Sequence, residues 1–545
     1  MAGYHETAPI APFTDDPVEQ FLAAVRSAEL AQNGARDSSR SANMVATIDR
    51  SRIDDDTVPV QQVRVPSRQI IPGALRNQYN IPQVEFRRRW AVTVTITIGL
   101  LVASALWRLR NGVVDAPLFL LWIAPLLAFR AFGWVLSCLD KPARVSPEQQ
   151  EMLDELFVTV SIPCLNEDTG ILDRALWSLA NQTRRPQRID LVVDGRDRNK
   201  IDYSFLEAYW TAPGRIPGCY VEWTYKEFND GKRRAHFTTF SRDSKADIEV
   251  TLDSDTAPAL NGIGEILKPF ADPGVMSVAG IEFGMNANEN FLTILQNALQ
   301  QIAQCVVAAA WSVTGDMFTN RGPFAAYRAS MLREILPLYA NETFYGHRII
   351  LGDDSLLALA GSMRGRSVQQ LSAFGLTMWP DNLGWHLRQR LRWARGRTIR
   401  NFWRFKYYRF GSYIWWFAMI NAYAFFIGLI ALGRFVLMGT LEAFGYSGTN
   451  FIPVLARFAI AMVVLGWLSQ LRCLAFKRSD ESFTDRALLV IIRPLASIWA
   501  SIVLTRIIRA LGIATCLKQG KPSDWTTRKN GAEITLKVEG EMLHD

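Results

Sequence analysis

Four long apolar runs constrain the fold of this 545-residue chain more than any other feature of its sequence. A helix that crosses a bilayer needs about 20 predominantly apolar residues, and each run is close to that length or longer. The runs cover residues 90–107, 116–139, 413–432 and 452–471, and Trp, Tyr and Arg flank them. Because such flanking residues are typical of membrane interfaces, membrane helices fit these runs better than the core helices of a soluble protein do.

A fifth apolar segment, at residues 487–505, is less regular because Arg493 and Pro494 interrupt it. These residues, together with Arg506 and Arg509, favour a broken helix. The sequence leaves open whether this segment spans the membrane, re-enters it or lies at its surface.

Basic residues beside the runs predict the side of the membrane on which each loop lies. They precede the first run and follow the second and fourth: Arg87–Arg89, Lys141, Arg144, Arg472, Lys477 and Arg478. The loop between the third and fourth runs, residues 439–450, contains no Lys or Arg. The positive-inside rule therefore places the N-terminus, the segment from residue 142 to about 409 and the loop after the fourth run in the cytoplasm.

The composition outside the runs narrows the range of partners. The net charge of +8 suggests anionic partners such as phosphates or lipid head groups. No basic helix or finger pattern predicts nucleic-acid binding. The six cysteines have no metal-ligand spacing and are interpreted as reduced thiols of a cytosol-facing protein. Residues 1–85 are polar without a lasting period, which predicts a disordered cytosolic extension, and no secretory signal is expected.

Between the second and third runs, apolar strands alternate with helices. Strands are predicted at residues 156–163, 188–195, 220–227 and 247–255, and a helix is predicted at Ile171–Asn181. This alternation predicts an α/β domain with a mainly parallel, doubly wound sheet. Ligands of such sheets bind beyond the carboxyl ends of the strands.

Polar residues follow three of these predicted strands: Asn166 and Glu167, Asp194, and Asp253 with Asp255. Two aspartates one residue apart in "VTLDSDT" can point to one side if the chain turns there, and their hard oxygens suit Mg²⁺ or Mn²⁺. Such a cation would absorb charge as a diphosphate departs. The alternative is a surface turn with two solvated acids, because this short pattern is common.

Three further motifs carry polar side chains of suitable chemistry. Lys232 in "NDGKRR" suits phosphate contact. Asp353 and Asp354 in "GDD" begin a predicted helix, either as a cap that favours the helix dipole or with one of them as a base. In "QRLRW", helical spacing brings three side chains to one face: Gln389, Arg392 and Trp393. A membrane-surface amphipathic helix is the alternative for this last motif.

The ordered set DG, DxD, GDD and QxxRW resembles the membrane-embedded family-2 glycosyltransferases, which include cellulose, chitin and hyaluronan synthases. The resemblance covers residues 157–529 and is strongest to hyaluronan synthases. "WTTRK" at Trp525–Lys529 resembles the gating loop of that family, with Thr526 in place of a glycine. "RGPF" lies where the family often has SGP near the acceptor sugar, so Arg321 departs from the pattern.

The resemblance implies a role for each motif. It assigns nucleotide contact to Asp194 and Lys232, and the uridine side of the site to Pro163 and Asn166. It assigns substrate and a Mn²⁺ or Mg²⁺ ion to Asp253 and Asp255, with Asp255 the preferred metal ligand. Asp354 becomes the catalytic base with Asp353 beside it. The remaining assignments are diphosphate and acceptor binding by Gln389, Arg392 and Trp393, and a gating loop with Trp525, Thr527, Arg528 and Lys529.

The resemblance also implies an organisation of the whole chain. A cytosolic GT-A domain of the α/β class, residues 142–382, is expected between transmembrane helices. The other expected units are a disordered extension at 1–85, two transmembrane helices at 86–141, amphipathic interface helices at 383–412, a C-terminal transmembrane region at 413–516, and a gating loop with a cytosolic tail at 517–545.

The implied function is processive, inverting polymerisation of UDP-activated sugars at the plasma membrane. UDP-GlcNAc, joined by UDP-GlcA as a second donor, would give a β-linked, hyaluronan-like polysaccharide that leaves through the protein's own channel. The expected partners are the UDP-sugar donor, the growing polysaccharide and the bilayer, without nucleic acid; protein partners stay open. The alternatives are a chitin-like or glucan homopolymer synthase, a non-processive transferase with a lipid acceptor, and a transporter or scaffold with a decayed transferase domain.

Overall fold

The computed structural model describes residues 84–86, 117–196, 198–344, 347–349, 351–443 and 472–519. Some predicted features lie outside these residues. They are the first and fourth apolar runs, almost all of the predicted disordered extension, and the gating loop with Trp525, Thr527, Arg528 and Lys529.

The described residues form twelve strands. In chain order these are β1 (Val84–Phe86), β2 (Val158–Cys164), β3 (Arg188–Val193), β4 (Tyr220–Tyr225), β5 (Ile248–Leu252), β6 (Ala257–Pro258), β7 (Val275–Gly284), β8 (Phe324–Arg328), β9 (Thr343–Phe344), β10 (His347–Arg348), β11 (Arg366–Thr377) and β12 (Phe476–Arg478).

Helices separate most of these strands and form the C-terminal part of the described chain. They are α1 (Pro117–Leu139), α2 (Pro147–Glu155), α3 (Thr169–Ala180), α4 (Ser204–Trp210), α5 (Lys232–Arg242), α6 (Gly262–Leu267), α7 (Phe291–Ile302), α8 (Ala309–Thr314), α9 (Ala329–Asn341), α10 (Asp353–Arg364), α11 (Leu383–Tyr407), α12 (Tyr413–Ala443), α13 (Phe483–Trp499) and α14 (Arg509–Gln519). A 3₁₀ turn covers Lys268–Ala271, and π-helical turns at Ala303–Ala308 and Ala500–Ile508 join α7 to α8 and α13 to α14.

Eight strands form one mixed sheet in the order β4-β3-β2-β5-β8-β7-β11-β6. The first four of these are mutually parallel, which confirms the parallel sheet expected from the sequence for this half. In the other half, β8 runs antiparallel to both β5 and β7, and β6 runs antiparallel to β11. β7 and β11 pair in parallel, so six of the eight strands run in one direction and the sheet is mainly parallel, as expected; β8 and β6 run against the others and make it mixed.

All four predicted strands are present; β2 ends one residue later than the sequence pattern suggests, and the other three end earlier. The predicted strand at 247–255 ends at Leu252, so Asp253 and Asp255 lie on the turn beyond it. The amide of Asp253 donates to the carbonyl of Pro323 at 3.2 Å, which ties this turn to the segment before β8. The acids therefore lie past the carboxyl end of β5, as expected for a ligand site in a sheet of this kind.

Apolar side chains cover both faces of the sheet. On β8, Phe324 and Ala326 point into the core that contains α3, whereas Ala325 and Tyr327 point into the core that contains α9 and α10. This alternation is the two-residue period of a strand buried on both faces. The sheet is therefore held between two helical layers, which fix the edge where its polar turns meet.

A fully buried carboxylate connects three separate elements of the domain. Glu342, which follows α9, pairs with Arg233 of α5 at 2.5 Å and with both terminal nitrogens of Arg400 of α11. Burial opposes ionisation of Glu342, but the two guanidinium groups outweigh it and lower its pKa. Arg400 also donates to the carbonyl of Gly352, directly before α10, at 3.3 Å.

Two segments of the described chain are long and apolar enough to cross a membrane, namely Tyr413–Ile430 and Leu495–Cys516. The first lies in α12, whose Tyr413 ring stacks on Phe129 of α1 with centroids 5.1 Å apart. The second belongs to the continuous helical stretch from α13 to α14. This helix runs through Pro494 without a break, so the broken helix favoured by the sequence is not found. The expected interface helices at 383–412 form one helix, α11.

The segments that flank the first and fourth apolar runs pair with each other. β1 runs antiparallel to β12, with Val84 opposite Arg478. The Phe476 ring packs against Phe283 of β7, and Arg478 donates to the carbonyl of Gly284 at 2.9 Å. The final residues of the extension predicted to be disordered, Val84 and Glu85, thus belong to a strand held against the eight-stranded sheet, because β12 offers them backbone partners.

Removing the buried Glu342 carboxylate should destabilise the domain strongly. We expect Glu342→Ala to lower the free energy of unfolding by about 3–5 kcal/mol, because two guanidinium groups stay buried without their partner. Chemical denaturation of the full-length protein in one detergent measures the loss. Glu334→Ala, which removes a partly exposed partner of Arg364, is the matched control and should cost about 0–1 kcal/mol. Equal losses in both variants would contradict the structural role of Glu342.

Candidate active site

Asp194 lies directly after β3 and is almost fully buried. Its carboxylate accepts hydrogen bonds from the Lys226 ammonium at 2.6 Å and from the Gly231 amide at 2.6 Å. Its carbonyl accepts from the Asn229 side chain at 3.0 Å. These hydrogen bonds of Asp194 hold the turn that leads into α5. Lys232 is the first residue of that helix.

Asn166 holds a second turn at the same edge of the sheet. Its backbone has a φ of +50°, a left-handed conformation that asparagine tolerates better than most residues. Its side chain accepts from the Lys200 amide at 2.6 Å and donates to the Arg198 carbonyl at 2.9 Å. Pro163 precedes this turn near the end of β2. Of the two predicted uridine-side residues, Asn166 thus lies on a turn held by its own side chain, and Pro163 lies in the strand before it.

Lys232 stands at the centre of the acidic groups. Its ammonium forms an ion pair with Asp253 and donates to the Gly322 carbonyl at 3.4 Å. Burial lowers the pKa of Lys232, but the carboxylates of Asp253, Asp353 and Asp354 outweigh burial and raise it. This lysine therefore keeps its charge and links the DxD acids to the GDD acids.

Asp253 and Asp255 lie beyond β5, as predicted. One oxygen of Asp255 accepts from the hydroxyls of Thr256 and Thr377, at 3.2 Å each. Within the described residues, no cluster of three or more His, Cys, Asp or Glu side chains could hold a metal ion. Two carboxylates nonetheless suit Mn²⁺ or Mg²⁺ when phosphate oxygens of a substrate complete the coordination shell.

Asp353 and Asp354 occupy the first turn of α10. Burial raises the pKa of the Asp354 carboxyl to about 8, and the neighbouring Asp353 carboxylate adds to the rise. A carboxylate of raised pKa near the working pH is suited to accept a proton. A Cβ atom on Gly322 would lie 2.6 Å from an Asp354 oxygen, so only glycine lets this loop approach the carboxylate so closely.

The QRLRW motif lies on α11, which crosses the start of α10. At the crossing, a Cβ atom on Gly396 would lie only 3.6 Å from the Cα atom of Gly352. Gly396 follows Arg392 by one helical turn. Trp393 is exposed, and the Arg390 guanidinium lies 4.5 Å from the centroid of its ring. The structure thus brings the helix that carries Gln389, Arg392 and Trp393 against the GDD turn.

Sequence reasoning missed Glu282, which lies near the end of β7. Its side chain is 3% exposed, and its Oε1 atom has no hydrogen-bond partner in the described part of the chain. Burial raises the pKa of Glu282 to about 7, against the opposing charge of Arg321. Asp253 and Asp255 contribute to the same rise. An acid near the end of the apolar strand "VMSVAGIEFG" was the signal that could have revealed it.

Comparisons with known proteins agree with the motifs. No family model matches the chain. It is 33% identical over 261 residues to hyaluronan synthase of Streptococcus pyogenes, a match that covers 48% of this chain and 60% of the relative. It is 31% identical over 266 residues to an N-acetylglucosaminyltransferase of Rhizobium meliloti, with the same two coverages. The matched stretch therefore spans less than two thirds of these relatives.

Among solved structures, a mannosyltransferase from Pyrobaculum calidifontis in complex with GDP-Man and Mn²⁺ covers 70% of this chain, with a TM-score of 0.47 and 17% sequence identity. GalNAc-T7 with UDP, GalNAc and Mn²⁺ covers 49% of this chain, with a TM-score of 0.31. The sequence matches show that the chain resembles family-2 glycosyltransferases of the hyaluronan synthase kind.

If Asp354 is the base that the resemblance implies, the charge on Asp353 should set the pH at which it becomes effective. A base acts only when it is ionised, so activity should rise with pH through the raised pKa of about 8. We expect Asp353→Asn to move this rising limb of the pH–activity profile to lower pH, because the neutral amide no longer raises the pKa of Asp354. The measurement is kcat/KM against pH.

Asp272→Asn is the matched control for this experiment, because it removes a carboxylate that pairs with Arg366 away from the site. It should leave the limb in place. A limb that does not move in Asp353→Asn would show that the titrating base is a different group.

Proposed function

We propose, from the resemblance to family-2 glycosyltransferases, that this protein is a membrane-embedded, processive, inverting glycosyltransferase. It joins UDP-activated sugars, UDP-GlcNAc together with UDP-GlcA, into a β-linked, hyaluronan-like polysaccharide. The observation that carries the proposal is the meeting of Lys232, the DxD acids and the Asp354 carboxylate at one edge of the sheet. These groups supply a charge for the leaving group and a base for the acceptor.

The chemistry is one in-line displacement at the anomeric carbon of the donor. The acceptor hydroxyl loses its proton to Asp354 as its oxygen bonds to that carbon, and the bond to the diphosphate breaks on the opposite face. The configuration therefore inverts without a covalent intermediate on the protein. Asp253 and Asp255 would hold Mn²⁺ or Mg²⁺, which offsets the charge on the departing diphosphate. Gln389, Arg392 and Trp393 on α11 would bind the diphosphate and the acceptor end.

We place the N-terminus and the catalytic domain in the cytoplasm and the apolar helices in the plasma membrane. The pairing of β1 with β12 supports this topology, because both strands lie against the catalytic sheet. An even number of crossings must then separate each of them from that sheet. This agrees with two spans before the domain and two after it.

The last helical stretch is assigned to the membrane surface. At one end, Leu489 of α13 packs on Leu295 of α7. At the other end, Cys516 of α14 packs on Ile399 of α11. Because both ends contact the catalytic side, this stretch fits an interfacial helix better than a fifth span. The expected gating loop, which follows α14, then begins on the side of the active site.

A homopolymer synthase that uses UDP-GlcNAc alone is the second candidate. The similarity to N-acetylglucosaminyltransferases of Rhizobium favours it, since their identity to this chain nearly equals that of the hyaluronan synthases. The two candidates differ in whether the acceptor end ever carries a uronate.

Product analysis tests the proposed function. The full-length protein in lipid nanodiscs receives Mn²⁺ and UDP-GlcNAc, with or without UDP-GlcA, and linkage-specific hydrolases digest the product. We expect a long polymer only when both donors are present. A polymer from UDP-GlcNAc alone would support the homopolymer synthase. Turnover of neither donor would refute the proposal.

Asp354→Asn is the matched variant for the product analysis. It should bind UDP-GlcNAc as the wild-type protein does, because a base acts in the transition state and not in donor binding. Polymer formation should fall by about 10²–10⁴-fold, the usual effect of removing a general base.

The proposed topology predicts opposite labelling of two loops. In a cysteine-free background, Ser479→Cys, which lies between β12 and α13, should react with a membrane-impermeant maleimide only from the cytoplasmic side. Ser447→Cys, in the loop without basic residues, should react only from the other side. Labelling of both positions from one side would contradict the two spans after the catalytic domain.

A further inference from the structure

Arg321 occupies the loop directly before β8 and has no role in the function proposed above. Its Nε atom is buried and has no hydrogen-bond partner among the described residues. Burial lowers the pKa of Arg321, and the neighbouring acidic side chains of Glu282 and Asp354 oppose this. A buried guanidinium nitrogen without a hydrogen bond costs free energy, so a bound acceptor group would stabilise this position.

The neighbours of Arg321 place it on the acceptor side of the reaction centre. The next residue, Gly322, lies against the Asp354 carboxylate, and its carbonyl accepts from Lys232 at 3.4 Å. The hydroxyl that gives its proton to Asp354 belongs to the acceptor. A guanidinium one residue from this contact is therefore close to the acceptor sugar, whereas the diphosphate departs beside Asp253 and Asp255.

The local charges indicate which kind of sugar needs an arginine here. Five carboxyl groups surround the site: Asp253, Asp255, Glu282, Asp353 and Asp354. A neutral sugar needs no cation among them, but a sugar acid would be repelled. Lys232 is already paired with Asp253, so it is not available to a second anion. The planar fork of Arg321 matches a carboxylate in a bidentate manner.

We propose that Arg321 binds the carboxylate of a hexuronate unit at the acceptor end of the growing chain. Arg321 is then a specificity-determining residue that lets a uronate-ended chain approach Asp354. The unpartnered Oε1 atom of Glu282, whose charge acts on Arg321, accepts from a hydroxyl of the same sugar. This inference rests on the proposed glycosyltransferase function and names the acceptor of that site.

The test keeps one donor and changes one group on the acceptor. UDP-GlcNAc and Mn²⁺ are supplied with oligosaccharides that end in β-linked glucuronate or in β-linked glucose, which replaces the carboxylate by a hydroxymethyl group. The wild-type protein should prefer the glucuronate end by about 10- to 100-fold in kcat/KM, the effect of one charge-assisted hydrogen-bonded pair. Arg321→Ser should reduce this preference to near one, and Arg321→Lys should retain part of it.

Arg242→Ser is the matched control, because it removes a guanidinium that pairs with Glu222 at 3.6 Å outside the site. It should keep the wild-type preference. If Arg321→Ser is folded but inactive, binding of the two acceptors measured by calorimetry gives the same ratio without turnover. If Arg321→Ser does not fold, Arg321→Gln replaces it, and a full preference in that variant would overturn the inference.

The outcomes separate this inference from the function on which it rests. Equal use of both acceptors by the wild-type protein would overturn the role of Arg321 and leave the glycosyltransferase standing. A preference that survives in Arg321→Ser would have the same meaning. Failure of the wild-type protein to transfer GlcNAc to either acceptor would instead count against the proposed function.

Discussion

The buried carboxylate of Glu342 is the interaction on which the arrangement of the site depends. Arg233, one of its partners, follows Lys232, and Arg400, the other, follows Gly396 by one helical turn and bonds to the Gly352 carbonyl. Lys232, the GDD turn and the QRLRW helix are thus fixed relative to one another through a single side chain. Buried ion pairs add little net stability over apolar packing, so their value here is geometric.

Several carboxyl groups that repel one another when ionised lie close together in the site. Asp354 and Glu282 keep their protons to higher pH than exposed carboxyls do, because burial and neighbouring acids disfavour their charged forms. In the unfolded chain these carboxyls would ionise at their ordinary pKa, so raising the pH through the range between the two values weakens the folded state. A bound donor with its cation would reduce this repulsion.

The sequence predicted the elements whose signals are local. The apolar strands that precede Asp194 and Asp253 predicted the parallel half of the sheet and its polar edge. The GDD motif was correctly predicted to begin a helix. The antiparallel entry of β8, the partners of Glu342 and the burial of Glu282 depend on contacts between distant segments, which no local pattern encodes. Pro494 lies inside a continuous helix, although the sequence favoured a break there. The roles of Gln389, Arg392 and Trp393 remain predictions.

The pairing of β1 with β12 has a consequence for biosynthesis. Its two strands lie near opposite ends of the chain, so nearly the whole polypeptide must leave the ribosome before they can meet. Until then, the surface of β7 near Phe283 lacks the aromatic cover that Phe476 provides. Contacts of such long sequence separation form late in folding. The cover over β7 beside Phe283 is therefore completed only after every element between β1 and β12, including the apolar helix α12, has been synthesised.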